Sequence, residues 1–297
     1  RYQGENRVST TYQQLSEGGE FAQAVKKRTT FLNANTSWDN DNWRNNCEML
    51  GYFCNSTEKG RPSTGSETNN RTVSVNGPDV ILHSWLRRCA SKVTIDFDGS
   101  GLRENIYIYI KRATIHDIPD SCNLGGVNAA KSTADLISNK NSDYRPSTGD
   151  YISYGEGTDY TQWPKISKGS PYIMENKVRK DFHAENADAL FLYENMQGNS
   201  LDERNKEQLP AEDGTVIGAD ETKDNMPNGS YIEVEAFYNM SSNEQVSAGT
   251  IRYRFMLGKD VLKNFDVERN HHYKLTLCIR GNGNDVDWHI EYNEHSG

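Results

Sequence analysis

The stretch NFDVERNHHYKLTL, residues 264–277, sets Glu268, Arg269, His271 and His272 at the mouth of an alternating apolar run. Histidine beside a carboxylate is the material of metal sites and of proton transfer. His271 shares parity with Tyr273, Leu275 and Leu277 and so leans inward, whereas His272 points to the opposite side. A regular strand therefore cannot close both imidazoles on one ion. The helical face with two histidines that a zinc protease requires is also missing. The expectation is strand-entry packing or capping, with His272 exposed.

Two other groupings have metal-like spacing. Asp287, His289 and Glu291 in DVDWHIEY fall on one strand face, about 7 Å apart by strand geometry. The same alternation with Val286, Trp288 and Ile290 is also what the wet face of a half-buried strand looks like, and that is the expectation here. DFDGSG (96–101) carries two aspartates at i and i+2 but lacks the distal glutamate of a calcium loop, so it is read as a hairpin turn. No metal and no cofactor is expected. No nucleophile elbow and no glycine-rich phosphate loop occurs in the chain, and no carboxylate pair stands out as a glycosidase pair, so it is not expected to be an enzyme. The remaining recognition candidates are aromatic. Tyr151, Tyr154, Tyr160 and Trp163 cluster in YISYGEGTDYTQW, where they can stack on sugar rings or pack down as a miniature core of the loop.

The elements that must position these residues are strands. Val93, Ile95 and Phe97 alternate with polar residues, and Ile106, Ile108 and Ile110 alternate with Tyr107 and Tyr109, the period of a half-buried strand. ADALFLYEN (187–195) is a continuous apolar run. SYIEVEAFY, TIRYRFMLG, HYKLTLCIRG and VDWHIEY alternate again, with Trp288 on the inward side of the last. No helical pattern separates them, so the fold class is all-β, with antiparallel sandwiches. The weakly patterned tract from about 118 to 180 reads as long loops and a passage between domains. The expected division is residues 1–170 and 171–297. Before residue 80 the chain is less legible: FAQAV (21–25) fits a short helix and MLGYFC (49–54) a buried strand.

Composition limits the partners. The 297 residues carry a formal net charge of −9 with 33 Lys and Arg, which disfavours a sequence-independent grip on nucleic acid. No run of 18 apolar residues is present, so no transmembrane segment is expected. The five cysteines contain no C-x-x-C; Cys47 and Cys54 can pair across a hairpin, while Cys89 and Cys278 read as small buried hydrophobes.

Taken in order, ALFLYENMQG, GSYIEVEAFY, GTIRYRFMLGKDV and NFDVERNHHYKLTLCIRGNGNDVDWHIEY resemble the fimbrillin-like surface proteins of Bacteroidota, in the large branch catalogued as a domain of unknown function. The shared theme is Y-x-F-x-L-G followed by F-x-x-x-R-N-x-x-Y-x-L-T-x-I-x-G, carried here from Tyr253 to Gly281 with Phe265, Arg269, Asn270 and Tyr273 within it. LRRCASKVTIDFDGSGL and HDIPDSCNLG are a looser counterpart in the amino-terminal half. The resemblance implies two tandem transthyretin-like β-sandwich domains. It implies export as a lipoprotein to the outer membrane or a fimbrium, with the targeting segment outside residues 1–297. It implies partners that are other fimbrial subunits, joined by strand exchange, with a surface glycan or protein as a further partner. On this view Asn270 adopts the turn, Arg269 anchors it to a carboxylate, and Tyr273 starts the buried face. The alternative function is a surface glycan-binding protein that uses the aromatics of 151–163.

Overall fold

A computed structural model describes residues 25–27, 49–54, 83–119, 121–123, 127–137, 151–174, 189–199, 216–218, 227–241, 246–259 and 264–294. Three strands, β1 (Val25–Lys27), β2 (Met49–Cys54) and β3 (His83–Arg88), come first. The long strands β4 (Ala90–Asp98) and β5 (Ile106–His116) follow. Six short strands come next: β6 (Ile118–Pro119), β7 (Ser121–Asn123), β8 (Leu136–Ile137), β9 (Tyr151–Ser153), β10 (Lys165–Ser167) and β11 (Tyr172–Met174). The last third holds β12 (Leu190–Tyr193), β13 (Asn195–Asn199), β14 (Val216–Gly218), β15 (Tyr231–Ser241), β16 (Val246–Met256), β17 (Asn264–Val267), β18 (His271–Arg280) and β19 (Asp285–Glu294). The described residues contain only two single-turn 3-10 helices, at Thr133–Asp135 and Tyr160–Gln162.

The long strands make two facing sheets. One runs β10-β5-β15-β16-β14, with β9 also on β5; the other runs β11-β4-β18-β19, with β12 also on β4. Most pairs are antiparallel, but β18 lies parallel to β4 and β14 parallel to β16. The long strands turn one alternate set of apolar residues inward, and Val93, Ile95, Ile108, Ile110, Val234, Tyr253, Phe255, Leu275 and Leu277 form one core with Val286. Strands from both sides of residue 170 share both sheets and this core. These two sheets thus draw strands from both sides of the expected 170/171 boundary. The reason is long-range pairing. β4 sits between β18 and the β11 and β12 strands, and β5 between β15 and the β9 and β10 strands.

The glycine turn after DFD is another correction. It carries the chain from β4 in one sheet to β5 in the other, so it is not a hairpin. Its aspartate is taken up locally, since the Ser100 N–H donates to Asp98 Oδ1 at 2.8 Å. Of FAQAV only Val25 is described, and it begins a strand; Cys47 lies outside the described residues. Cys89 and Cys122 are buried, but Cys278 is half-buried on the outward face, not in the core.

Candidate functional site

The Arg-Asn-His-His segment is the turn between β17 and β18, and it is held by a buried polar clasp. Asn270 adopts φ 62°, a left-handed conformation that asparagine tolerates better than most residues. Its N–H donates to Ala90 O at 3.1 Å, and its Oδ1 accepts from the Arg88 N–H at 3.2 Å. Arg269 Nη2 pairs with Glu194 Oε2 at 3.0 Å, with side chains only 7% and 6% exposed. The same carboxylate accepts from Asn128 N at 3.0 Å, Asn128 Nδ2 at 3.3 Å and Arg269 N at 3.4 Å. Burial works against the Arg269 cation, but Glu194 more than offsets it and holds its pKa above the ordinary value. Next to Glu194, Asn195 accepts from Ala130 N and donates to Asn228 O and Ser230 Oγ. The clasp thus ties the β12–β13 junction, the 128–130 loop and the β17–β18 turn together.

The histidines extend this clasp. His271 Nδ1 lies 2.8 Å from Arg269 O, which can only accept, so the proton sits on Nδ1. Its Nε2 is 4.0 Å from Glu268 Oε2. Glu268 also pairs with Lys259 at 3.0 Å and Arg87 at 3.2 Å. Burial pushes its carboxyl up, but the Lys259 hydrogen bond and the charges of His271, Lys259 and Arg87 hold it below the usual carboxylate range. Tyr273 is fully buried, and its hydroxyl accepts from the Glu268 N–H at 2.8 Å. His272 contradicts the expectation of exposure: it is 2% exposed, with Nε2 2.9 Å from Thr94 Oγ1 of the parallel neighbour β4. Strand parity does put it on the face away from the core, but that face is covered at this end.

Of the four loop aromatics, Tyr160 lies over the outward face of the β5–β15 sheet and Trp163 lies beside Lys111, whereas Tyr154 packs against the core. Opposite Glu235, β5 carries an extra residue, so Lys111 and Arg112 both reach one carboxylate, at 2.9 and 3.0 Å. Burial raises the Glu235 carboxyl, and the two cations bring it below its usual range. At the same bulge the edge partner of β5 changes from β10 to β9, and the intervening loop folds back over the sheet. Trp163 is only 8% exposed. Its indole donates to Glu156 O at 3.0 Å, and it packs so closely on Gly155 that a Cβ there would lie 2.3 Å from the ring. Tyr154 sits edge-on to Phe97 at 5.3 Å, and Tyr160 stacks on Phe237 at 3.9 Å and edge-on to Tyr109 at 5.1 Å. Tyr151 is half-buried, paired in register with Thr114. Three of the four are engaged in packing.

For Asp287, His289 and Glu291 only the backbone register is described, opposite Cys278, Thr276 and Lys274. Trp288 is likewise placed by register alone, opposite Leu277. Sequence reasoning missed Glu194, Asn195 and Asn128. The available signal was a charged residue and an amide directly ending the apolar run ALFLY, where the chain is still deep in the protein.

The fold and clasp define an all-β sandwich whose most elaborate polar cluster is buried and cross-braces the chain. Residues 190–277 match the model of a family described as a domain of unknown function, DUF4906. No curated protein matches the chain. Among solved structures it is similar to a presumed cell adhesion protein of Parabacteroides distasonis, at 12% identity and a TM-score of 0.37 over 70% of this chain and 52% of that one. It is also similar to the tip fimbrial protein Mfa3 of Porphyromonas gingivalis, at 7% identity and a TM-score of 0.29 over 70% of this chain and 52% of that one. The fimbrilin FimA of Porphyromonas gingivalis gives 10% identity and a TM-score of 0.34 over 93% of this chain and 74% of that one. The chain spans about half the length of the first two.

Proposed function

We propose that the chain is a non-enzymatic cell-surface subunit of a fimbrial or adhesive assembly, and that it joins its neighbours by β-strand complementation. One observation carries this reading. β19 is ten residues long, and among the described strands it pairs only with β18, so no described strand occupies its other edge, the side an incoming strand would take. The strands behind it, β18 and β4, bury their inward residues in the core, which gives a partner an ordered template. The motif order from Tyr253 to Gly281 supports the same reading, as do the expected lipoprotein anchorage and surface location.

The test uses a strand-length peptide from the terminus of a neighbouring fimbrial subunit, offered to the purified chain. It is expected to bind, and a version with its apolar pattern moved by one residue is expected to fail, because the slip turns every anchor to the wrong face. Absence of binding by either peptide would overturn strand complementation.

A further inference from the structure

The outward face of the β10-β5-β15-β16 sheet is an ordered grid whose two ends differ in chemistry. At one end, cross-strand rows set Arg112, Glu235 and Arg252 side by side, and Glu233 next to Arg254. At the other end, Tyr109 faces Phe237, and Tyr107 faces Asn239. Lys165 crosses from β10 with its ammonium 5.4 Å from the Tyr107 ring and 5.9 Å from the Tyr109 ring. The strands' outward positions thus carry five cations against two carboxylates, and the loop above adds Glu156 and Asp159. Asp159 caps its own turn, accepting from Thr161 N and Oγ1, and is exposed. Among the described residues this leaves five cations against four carboxylates, a slight positive excess in a chain of net charge −9.

The cations differ in how far they are committed. Arg254 Nε is 2.6 Å from Glu233, whereas Arg252 Nε is 3.9 Å away with its side chain 44% exposed. Arg112 gives Nη2 to Glu235 and is 38% exposed. A guanidinium has five donors in a fork that matches a carboxylate. Arg112 and Arg252 therefore stand about 10 Å apart across two strand spacings, on either side of Glu235. From Arg112 to Tyr107 is roughly 15 Å along the strand, which a polymer spans and a single sugar does not. Tyrosine and tryptophan surfaces stack on apolar ring faces, and the charge balance selects an anion.

We infer that this face binds a carboxylated polysaccharide, with a sugar ring lying against Tyr107, beside the Tyr160 that packs on Tyr109, and uronate groups reaching Arg112 and Arg252. It is a site separate from the proposed strand-accepting edge, which belongs to the other sheet. The test measures binding of the intact chain to two uronic-acid polymers, polygalacturonate and hyaluronate, with the carboxyl-reduced form of each and poly-glutamate as comparisons. At least one uronate polymer is expected to bind, with affinity at least tenfold above its reduced form and above poly-glutamate, and weakening as salt rises. The Arg112→Gln/Arg252→Gln variant, checked for an unchanged urea melt, is expected to lose at least tenfold. Tyr107→Ser is expected to lose affinity at all salt concentrations alike. Failure of both polymers, equal binding of a reduced polymer or of poly-glutamate, or unchanged affinity in the double arginine variant would each overturn the proposal. The strand-peptide result stands independently of all of these.

Discussion

Removing the Glu194 carboxylate is the most direct perturbation of the clasp. Glu194→Ala leaves the Arg269 guanidinium buried without its counter-ion and takes an acceptor from two backbone N–H groups, those of Asn128 and Arg269. Breaking a buried pair from one side costs about 3–5 kcal/mol, set against a total stability of roughly 5–15 kcal/mol for a domain. Glu194→Gln keeps the shape and one accepting oxygen but not the charge, so its cost is about 1.5–3 kcal/mol, the range for hydrogen bonds to ionised groups. Arg269→Met alone strands the carboxylate instead. Combined with Glu194→Leu it removes both charges, and the double variant is expected to lose clearly less than the sum of the singles. Urea melts with an unchanged slope would read these differences. A Glu194→Ala loss below about 1 kcal/mol, or strict additivity in the cycle, would refute the view that this pair holds the β17–β18 turn.

Acid should weaken the fold through Glu268 and Glu235, whose folded pKa values lie below the usual carboxylate range. A lowered pKa contributes stability above the unfolded value of about 4.3, and this is lost as pH falls through the folded value. The urea midpoint is therefore expected to hold from pH 7 to about 5 and to fall below about 4.3; a rising midpoint in that acid range would contradict the assignment. His272→Ala leaves the buried Thr94 hydroxyl short of a partner and is expected to cost about 1–3 kcal/mol, whereas a change within about 0.5 kcal/mol would mean that His272 sits at the surface. Residues 171–297 alone, which lack β4 and β5, are expected to show no cooperative urea transition. A sharp two-state melt of that fragment would restore a self-sufficient carboxy-terminal domain.

Strand existence and facing were legible from residue 90 onward because period-2 alternation reports burial directly. Even the bulge was written in the sequence. Ile106, Ile108 and Ile110 share one parity and Ala113 and Ile115 the other, and the inserted Lys111 is where the face is reset. The turn at Asn270 could be read from residue type. Its counter-ion could not, because Glu194 lies 75 residues away and nothing local marks a carboxylate as buried. The choice between the two readings of the loop aromatics was not legible for a related reason. Gly155, which lets Trp163 lie flat, and Phe237, which receives Tyr160, come from outside any pattern that a loop composition displays.

Alternation also says which face of a strand is buried without saying which strand lies beside it, and this is why the sharing of sheets across residue 170 was not legible. The motif-rich strands β15, β16, β18 and β19 are contiguous enough in the chain to look like a complete sandwich. Yet β18 needs a second neighbour and takes β4 in parallel, from about 180 residues earlier, while β15 takes β5. A parallel partner cannot be reached by a tight turn, so the connection has to be long. The poorly patterned tract between residues 118 and 180, which looked like a passage between domains, lies within that connection. It brings β9, β10 and β11 to the outer sides of the two strands it leaves behind. The family match at 190–277 begins after β4 and β5 and stops before β19. It therefore marks a stretch of related sequence that is smaller than the folding unit, and the sandwich closes only when residues 90–116 are counted with it.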